Sequence, residues 1–397
     1  MRLPFGSTPP KEPVPMDVVS LLNDIVFRAV TMKASDIHLE PKAEDMRVRV
    51  RVDGWMIEHT VVPLELVPQV ISRIKVLARM DITEKRIPQD GQMSMEVGLG
   101  KPVPMRASTF PSQHGEKVVL RLFGGQAVIP FGDLGLSSAM QVRLKELITK
   151  PQGFVVTCGP TGSGKTSTLY AALQLVDVQG KNVVTLEDPV EVELPQVTQG
   201  QIQPRAGFTF AGGLRSVLRQ DPDVILVGEV RDTETAAIAL QAALTGHMVL
   251  STLHTSDTVA TVVRLVDLGV EPWIVANALT AVVAQRLVRL ACKECLEPAE
   301  LASDVWDGDE VVYPAGSKIV RPRGCPACHG IGYRGRTGIF EVLELDDDLR
   351  ELIKRKASAT DFRRELKERH VVSLRRNGIQ KVERGLTTVD EVIRVTT

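Results

Sequence analysis

The chain has 397 residues, 43% of them hydrophobic and 24% charged, with a formal net charge of −1. That length allows two or three domains with sizeable cores; the balance is that of a soluble globular protein, and the near-zero charge gives no global pull toward nucleic acid. Residues 1–15 lack the apolar run of a secretory signal, and the longest greasy stretch, Trp273 to Ala284, is short for a membrane span and contains Asn277, so the sequence predicts a cytosolic protein that meets membranes only through partners.

In chain order, residues 1–15 (MRLPFGSTPPKEPVP) read as a disordered leader or linker stub. Asp17 to Met32 carries Val19, Leu22, Ile25, Val26, Ala29 and Val30 at helical spacing, which predicts an amphipathic helix. Met46 to Val52 alternates strictly and ends in the turn pair Asp53-Gly54, a hairpin signal with arginines on one face. Leu64 to Met80 reads as a second helix and Val118 to Leu122 as a strand. Residues 16–124 are therefore expected to form a small α+β domain, and residues 125–137, rich in Gly and Pro, a linker. From 138 onward, strands near 153–158, 182–187, 223–228 and 248–252 alternate with helical stretches, which predicts an α/β domain with a largely parallel sheet. A cysteine-bearing segment, 291–340, and charged helices over 341–397 complete it.

Between the first of those strands and the helical run after it lies Gly159-Pro160-Thr161-Gly162-Ser163-Gly164-Lys165-Thr166, which fits G-x-x-x-x-G-K-[ST] at every fixed position. Strand, loop and helix in this order mark a phosphate loop. Its glycines let the backbone approach phosphates, and successive N–H groups with the helix N-terminus hold the anion. Lys165 is expected to reach the β- and γ-phosphates and Thr166 to ligate Mg²⁺, with Ser167 next to them in the binding segment. The loop predicts binding of a nucleoside triphosphate.

Two acidic clusters follow apolar strands. Asp223 to Glu229 (DVILVGE) ends in Gly228-Glu229, where a carboxylate would face the metal and γ-phosphate. Leu186 to Glu191 (LEDPVE) could supply a carboxylate that orients and deprotonates the attacking water. Either alone reads equally well as solvated loop charge; two in one phosphate-loop domain make that reading weaker. His247 and His254 flank the strand Met248 to Thr252 and could sense the γ-phosphate or be satisfied structural histidines.

Four of the five cysteines form two Cys-x-x-Cys pairs, Cys292/Cys295 and Cys325/Cys328. In a cytosolic chain this pattern favours metal over disulfide, and four thiolates suit a closed, structural tetrahedral Zn²⁺ site. The pairs stand farther apart than in common zinc ribbons, and a redox dithiol or unpaired cysteines remain the alternatives. Cys158, in an apolar strand, is expected to be core. Arg106 and Arg121 read, on the residues alone, as surface or salt-bridged arginines.

Together these segments resemble the secretion ATPase superfamily, the GspE/PilB-type motors of type II secretion and type IV pilus assembly. Ala34 to Pro41 (ASDIHLEP) resembles its N-terminal signature, 187–191 its Asp box, Asp223 to Asp232 its Walker B region and Gly246 to Thr255 its His box. The cysteine pairs with Gly332 to Gly338 (GYRGRTG) resemble the metal-binding subdomain of its assembly branch. The resemblance spans about residues 17–345.

It implies a PAS-like N-terminal domain followed by a RecA-like P-loop ATPase domain carrying a four-Cys metal subdomain. It also implies a homo-hexameric ATP hydrolase, with ATP, Mg²⁺ and structural Zn²⁺, acting at the cytoplasmic face of the inner membrane. Its partners would be an inner-membrane platform protein and membrane-anchored secretion or pilus assembly proteins, with no specific nucleic acid. Arg106 and Arg121 match arginines that reach the γ-phosphate on domain closure. Glu187 matches the water-activating carboxylate and Glu229 the Mg²⁺-side one, in roles that could be exchanged; His247 and His254 match paired histidines. Full-length members usually carry a further N-terminal domain, so the sequence reads as a truncated or short member. The rival readings are a nucleic-acid-translocating P-loop motor with a zinc knuckle and a non-hydrolysing nucleotide-gated scaffold.

Overall fold

The computed structural model describes residues 17–123 and 128–397, which fall into two compact units divided between residues 127 and 128. The expected leader, residues 1–15, lies outside the described residues.

In the first unit the chain runs α1 (Val18–Thr31), β1 (Asp36–Pro41), β2 (Asp45–Val52), β3 (Trp55–Pro63), α2 (Val67–Leu77), β4 (Gln89–Met95), β5 (Val103–Ser112) and β6 (Gly115–Leu122). The strands make one antiparallel sheet in the order β3-β2-β1-β6-β5-β4. The alternation in β2 explains its seating. Met46, Val48, Val50 and Val52 are buried in one core with Leu22, Ile25 and Val26 of α1 and Val70 and Ile74 of α2, while Arg47, Arg49 and Arg51 take the outer face.

The second unit continues with α3 (Ser138–Ile148), β7 (Gly153–Cys158), α4 (Lys165–Leu173), β8 (Val183–Glu187), β9 (Thr198–Gln201), α5 (Phe210–Val217), β10 (Val224–Val227), α6 (Thr233–Leu244), β11 (Met248–Leu253), α7 (Thr258–Asp267), α8 (Pro272–Ala278) and β12 (Leu279–Ala291). Beyond it come the short strands β13 (Leu296–Glu300), β14 (Val305–Asp307), β15 (Glu310–Tyr313) and β16 (Lys318–Pro322), then β17 (Tyr333–Glu344), α9 (Asp347–Lys354), α10 (Ala359–Glu368), α11 (Leu374–Glu383) and α12 (Val389–Thr396). Seven strands form one sheet, β17-β12-β7-β11-β10-β8-β9, parallel throughout except for β17. β7, β8, β10 and β11 are buried along their whole length, as strands covered by helices on both faces must be. This is the RecA-like P-loop architecture, preceded in the sequence by a small PAS-like α+β unit.

Two stretches depart from their sequence reading. Within 125–137, the expected linker, Phe131, Leu134 and Leu136 are buried in a cluster with Leu144 and Leu147 of α3 and Leu169 of α4, and Lys381 Nζ donates to Gly135 O at 2.6 Å. Pro130, Gly132 and Gly135 therefore belong to a packed entry to the second unit. The greasy run Trp273 to Ala284 is two elements, most of α8 and the start of β12; its apolar character comes from burial within the sheet. Among the described residues no helix is long and apolar enough to cross a membrane.

Candidate functional site

The phosphate loop sits where β7 ends beneath its helices and α4 begins at Lys165. Gly159 and Gly164 have φ of +149° and +88°, values that favour glycine. A Cβ at Gly159 would stand 2.6 Å from Gln285 O and from Ser163 Oγ, so a side chain there would collide with the loop. Lys165 is 8% exposed, and Nζ donates to Gly159 O at 2.8 Å and Pro160 O at 3.1 Å, spanning the loop it closes. Burial lowers its pKa, opposed by the nearby negative charge of Glu229. Thr161 and Gly162 form the exposed tip, and Thr166 and Ser167 lie half-buried in the first turn of α4.

β10 and β11 deliver Glu229 and His254 to the same edge of the sheet. β11 pairs with β7 in parallel register, Leu253 opposite Cys158, so His254 emerges where the phosphate loop begins. Its Nε2 lies 3.3 Å from Glu229 Oε2, and Glu229 Oε1 accepts from Arg231 at 2.5 Å. Thr252 Oγ1 donates to Gly228 O at 2.8 Å, locking the turn before Glu229. A cavity of about 300 Å³ opens alongside, lined in part by Asp188, Arg231 and Asp232.

His247 is elsewhere. It precedes β11, its carbonyl accepts from Gly153 at the start of β7, and its Nδ1 lies 3.0 Å from Ala242 O. The strand between the two histidines rises roughly 3.3 Å per residue, so His247 sits about 20 Å away, at the opposite edge of the sheet. The resemblance pairs the two histidines, but they stand at opposite ends of the strand they flank, and of the two it is His254 that lies beside Glu229.

Glu187 also differs from expectation. It ends β8 and is 3% exposed. Its Oε1 accepts from Thr185 Oγ1 at 2.5 Å and Gln199 Nε2 at 3.0 Å, and its Oε2 accepts from the Tyr170 hydroxyl. Burial and the bond to Glu187 raise the pKa of Tyr170. A base must present a lone pair to water; this carboxylate is committed to α4, β8 and β9. Asp188 and Glu191, on the turn after it, are exposed.

The four cysteines converge. Their Sγ atoms lie within 4.8 Å of one another, with Cys292–Cys325, Cys295–Cys328 and Cys325–Cys328 at 3.8, 4.0 and 3.7 Å. Tetrahedral Zn–S bonds of about 2.3 Å put sulfurs roughly 3.8 Å apart, so the donor set fits a metal ion. The backbone N–H groups of Cys325 and Gly332 donate to Cys328 Sγ at 3.1 and 3.2 Å. Burial opposes ionisation of Cys328, but these donors bring its pKa to about 7, whereas burial pushes Cys295 up to about 12. One thiolate at a time is tolerable without a cation; four need one.

In the first unit Arg106 and Arg121 stand directly opposite one another on β5 and β6. Arg121 in turn faces Asp36, which faces Arg51, so one register line crosses the outer face of the sheet. Arg121 Nε donates to Asp36 Oδ1 at 2.9 Å and Arg106 contacts Asp90 at 3.3 Å, yet the two side chains remain 62% and 53% exposed. Like charges placed opposite each other in a sheet repel, and an anion brought to this face would relieve that.

The sequence reading passed over Tyr170, Gln199, Gln285 and Arg286. Only Gln285-Arg286 left a signal, a polar pair directly after the apolar stretch Ala281 to Ala284.

A phosphate loop at the strand ends of a RecA-like sheet, with Glu229 and His254 beside it and a four-cysteine knuckle further on, defines a P-loop ATPase fold with a metal subdomain. The model of the family "Type II/IV secretion system protein" matches residues 15–394, and the chain belongs to that family. It is 47% identical to type II secretion system protein E of Pseudomonas aeruginosa, over 96% of this chain and 75% of that one. To type II secretion system ATPase E of Vibrio cholerae it is 44% identical over the same shares. Among solved structures, the ATPase DotB of Legionella pneumophila aligns with a TM-score of 0.70 at 21% identity, covering 97% of each chain. The pilus retraction motor PilT with bound ADP aligns with a TM-score of 0.62 at 24% identity, covering 94% of this chain and 96% of that one. These last two likenesses establish the fold.

Proposed function

We propose that the chain is an ATP-hydrolysing motor of a type II secretion system, acting as a homo-hexamer at the cytoplasmic face of the inner membrane and driving assembly of a pilus or pseudopilus. The observation that carries it is the convergence of Lys165, Glu229 and His254 at one edge of the sheet, in a chain 44% identical to a protein named an ATPase.

MgATP would be held by the N–H groups of 159–166 and the N-terminus of α4, with Lys165 on the β- and γ-phosphates. Bound Mg²⁺ would neutralise charge developing on the phosphoryl oxygens. Thr166 and Glu229 would hold that ion directly or through water, and His254 would be oriented by Glu229 toward the γ-phosphate. Water activation is assigned to the exposed turn carrying Asp188 and Glu191, with Glu187 as the buried anchor of that turn. Arg106 and Arg121 would bring positive charge to the transferring group, so that the site is complete only while the γ-phosphate is present. Cys292, Cys295, Cys325 and Cys328 would hold a structural Zn²⁺, with no open position for catalysis. Hydrolysis would reopen the site, and the domain stroke would be delivered to a membrane platform protein.

Phosphate release measured against protein concentration, with and without added DNA, tests this. Turnover per chain is expected to rise as rings form and to be indifferent to DNA. A DNA-stimulated rate would turn the reading into that of a nucleic-acid translocase.

A further inference from the structure

β12 carries Gln285 and Arg286 side by side in a largely apolar strand, and each reaches a different wall of the phosphate site. We propose that the pair are positioning residues, Gln285 orienting the Ser163–Gly164 peptide of the phosphate loop and Arg286 holding the turn that carries His254. The inference rests on the reading of 159–166 as the nucleotide site.

Gln285 is 1% exposed, and its Nε2 donates to Ser163 O at 2.8 Å. In a planar trans peptide the carbonyl of Ser163 and the N–H of Gly164 point in opposite directions. Fixing the carbonyl against β12 therefore turns the Gly164 N–H away from β12. There it joins the N–H groups at the start of α4, which form the anion cradle. The approach is close: a Cβ at Gly164 would stand 3.2 Å from Gln285 Nε2. Among the described residues no donor reaches Gln285 Oε1. A position serving only the core would be filled better by an apolar side chain, so the amide is retained for the bond it donates.

Arg286 distributes its donors over three segments. Nη2 donates to Ser256 O at 2.7 Å, Nη1 to Gln285 O at 2.9 Å and Nε to Val395 O at 3.1 Å. Ser256 lies two residues after His254 and just before Asp257, whose side chain caps α7. A Cβ at Gly159 would stand 3.1 Å from Nη1. The guanidinium thus fills the space between the start of the phosphate loop, the His254 turn and the end of α12. The guanidinium spreads its donors over three nitrogens and so spans three separated segments; a lysine ammonium holds its three donors on one nitrogen and cannot span them.

The two residues therefore act on separable parts of the cycle. The Ser163–Gly164 peptide belongs to the cradle shared by ADP and ATP, whereas His254 bears on the γ-phosphate. The test compares the wild-type chain with Gln285→Met, of equal length without a donor, and with Arg286→Lys. Affinities for MgADP and MgATP are read by titration with a fluorescent nucleotide, together with KM, kcat and the thermal midpoint of the free protein. Gln285→Met is expected to weaken both nucleotides about tenfold with the midpoint little changed. Arg286→Lys is expected to keep MgADP affinity within about twofold and lower kcat about tenfold. Equal affinity in Gln285→Met, or a parallel loss of ADP affinity and kcat in Arg286→Lys, overturns the proposal.

If Gln285→Met loses thermal stability, Gln285→Asn keeps the amide but falls short of Ser163 O and must show the same loss of affinity. Unchanged affinity there, or a collapse of both variants, makes Gln285 a core residue and overturns its role. A wild-type chain that binds neither nucleotide overturns the underlying site assignment as well.

Discussion

Replacing Glu187 separates a structural carboxylate from a catalytic one. Its oxygens accept from Thr185, Gln199 and Tyr170 in the interior. Glu187→Ala would leave the Thr185 and Tyr170 hydroxyls without that acceptor, while Gln199 Nε2 keeps its bond to Val192 O at 3.1 Å. Each buried orphan costs about 1–3 kcal/mol, so the loss is about 2–6 kcal/mol. At ~2–4 °C per kcal/mol for a domain of this size, the thermal midpoint should fall by roughly 5–20 °C. Glu187→Gln is different. Its carbonyl can keep Thr185 and Gln199, and its amide can donate to the Tyr170 oxygen, which leaves only the Tyr170 O–H without its acceptor, a loss of about 1–3 kcal/mol. The assay pairs thermal unfolding with steady-state phosphate release. Glu187→Gln should lose less than Glu187→Ala, about 2–12 °C, and keep turnover within about threefold, whereas Glu191→Gln or Asp188→Asn should keep the midpoint and lose turnover. If Glu187→Gln folds and binds MgATP normally but loses turnover a hundredfold or more, the buried-anchor reasoning is wrong and Glu187 itself meets the water.

Three further outcomes follow from the same geometry. Metal analysis of protein purified without chelator should give about one zinc per chain, lost in Cys328→Ser; a metal-free wild-type chain would remove the knuckle's metal. His254→Ala should lower kcat at least about tenfold and His247→Ala should leave it within about twofold, since only His254 lies beside Glu229; equal effects would contradict the placement. Glu391 is 2% exposed, and although burial opposes it, its bonds to Arg394 and Arg289 hold its pKa at about 2. Its folded-state pKa lies below the usual 4.5, so its contribution is complete above about pH 4.5 and is lost as pH falls toward 2. Glu391→Ala should destabilise the second unit by about 3–5 kcal/mol at pH 7, by removing the buried carboxylate that Arg289 and Arg394 bond, and should flatten acid unfolding over that window. Urea titrations at pH 7 and pH 3 check both, and an unchanged pH profile would refute them.

Much of this was legible in the residues. Four parallel strands were visible because each is a short apolar run, buried on both faces. The phosphate loop announced itself because glycine and lysine are required by backbone geometry and charge at fixed spacing. Glu229 and the cysteines could be read because a strand end or a knuckle fixes where a side chain must go. What escaped depends on direction and on partners distant in sequence. His247 and His254 look equivalent until the strand between them is given a direction. Glu187 looks like a free strand-end carboxylate until Tyr170 and Gln199 are brought to it. Gln285 sits more than a hundred residues after Ser163, and only the pairing of β12 with β7 brings them together.

Phosphate release from MgATP by the purified chain, beside its Lys165→Ala variant, tests the central claim most directly. The account predicts Mg²⁺-dependent turnover that the substitution reduces to background while the thermal midpoint of the free protein stays near that of wild type. Turnover that survives the loss of Lys165 would contradict the placement of hydrolysis at this loop, and a wild-type chain that releases no phosphate at any concentration would contradict the account as a whole.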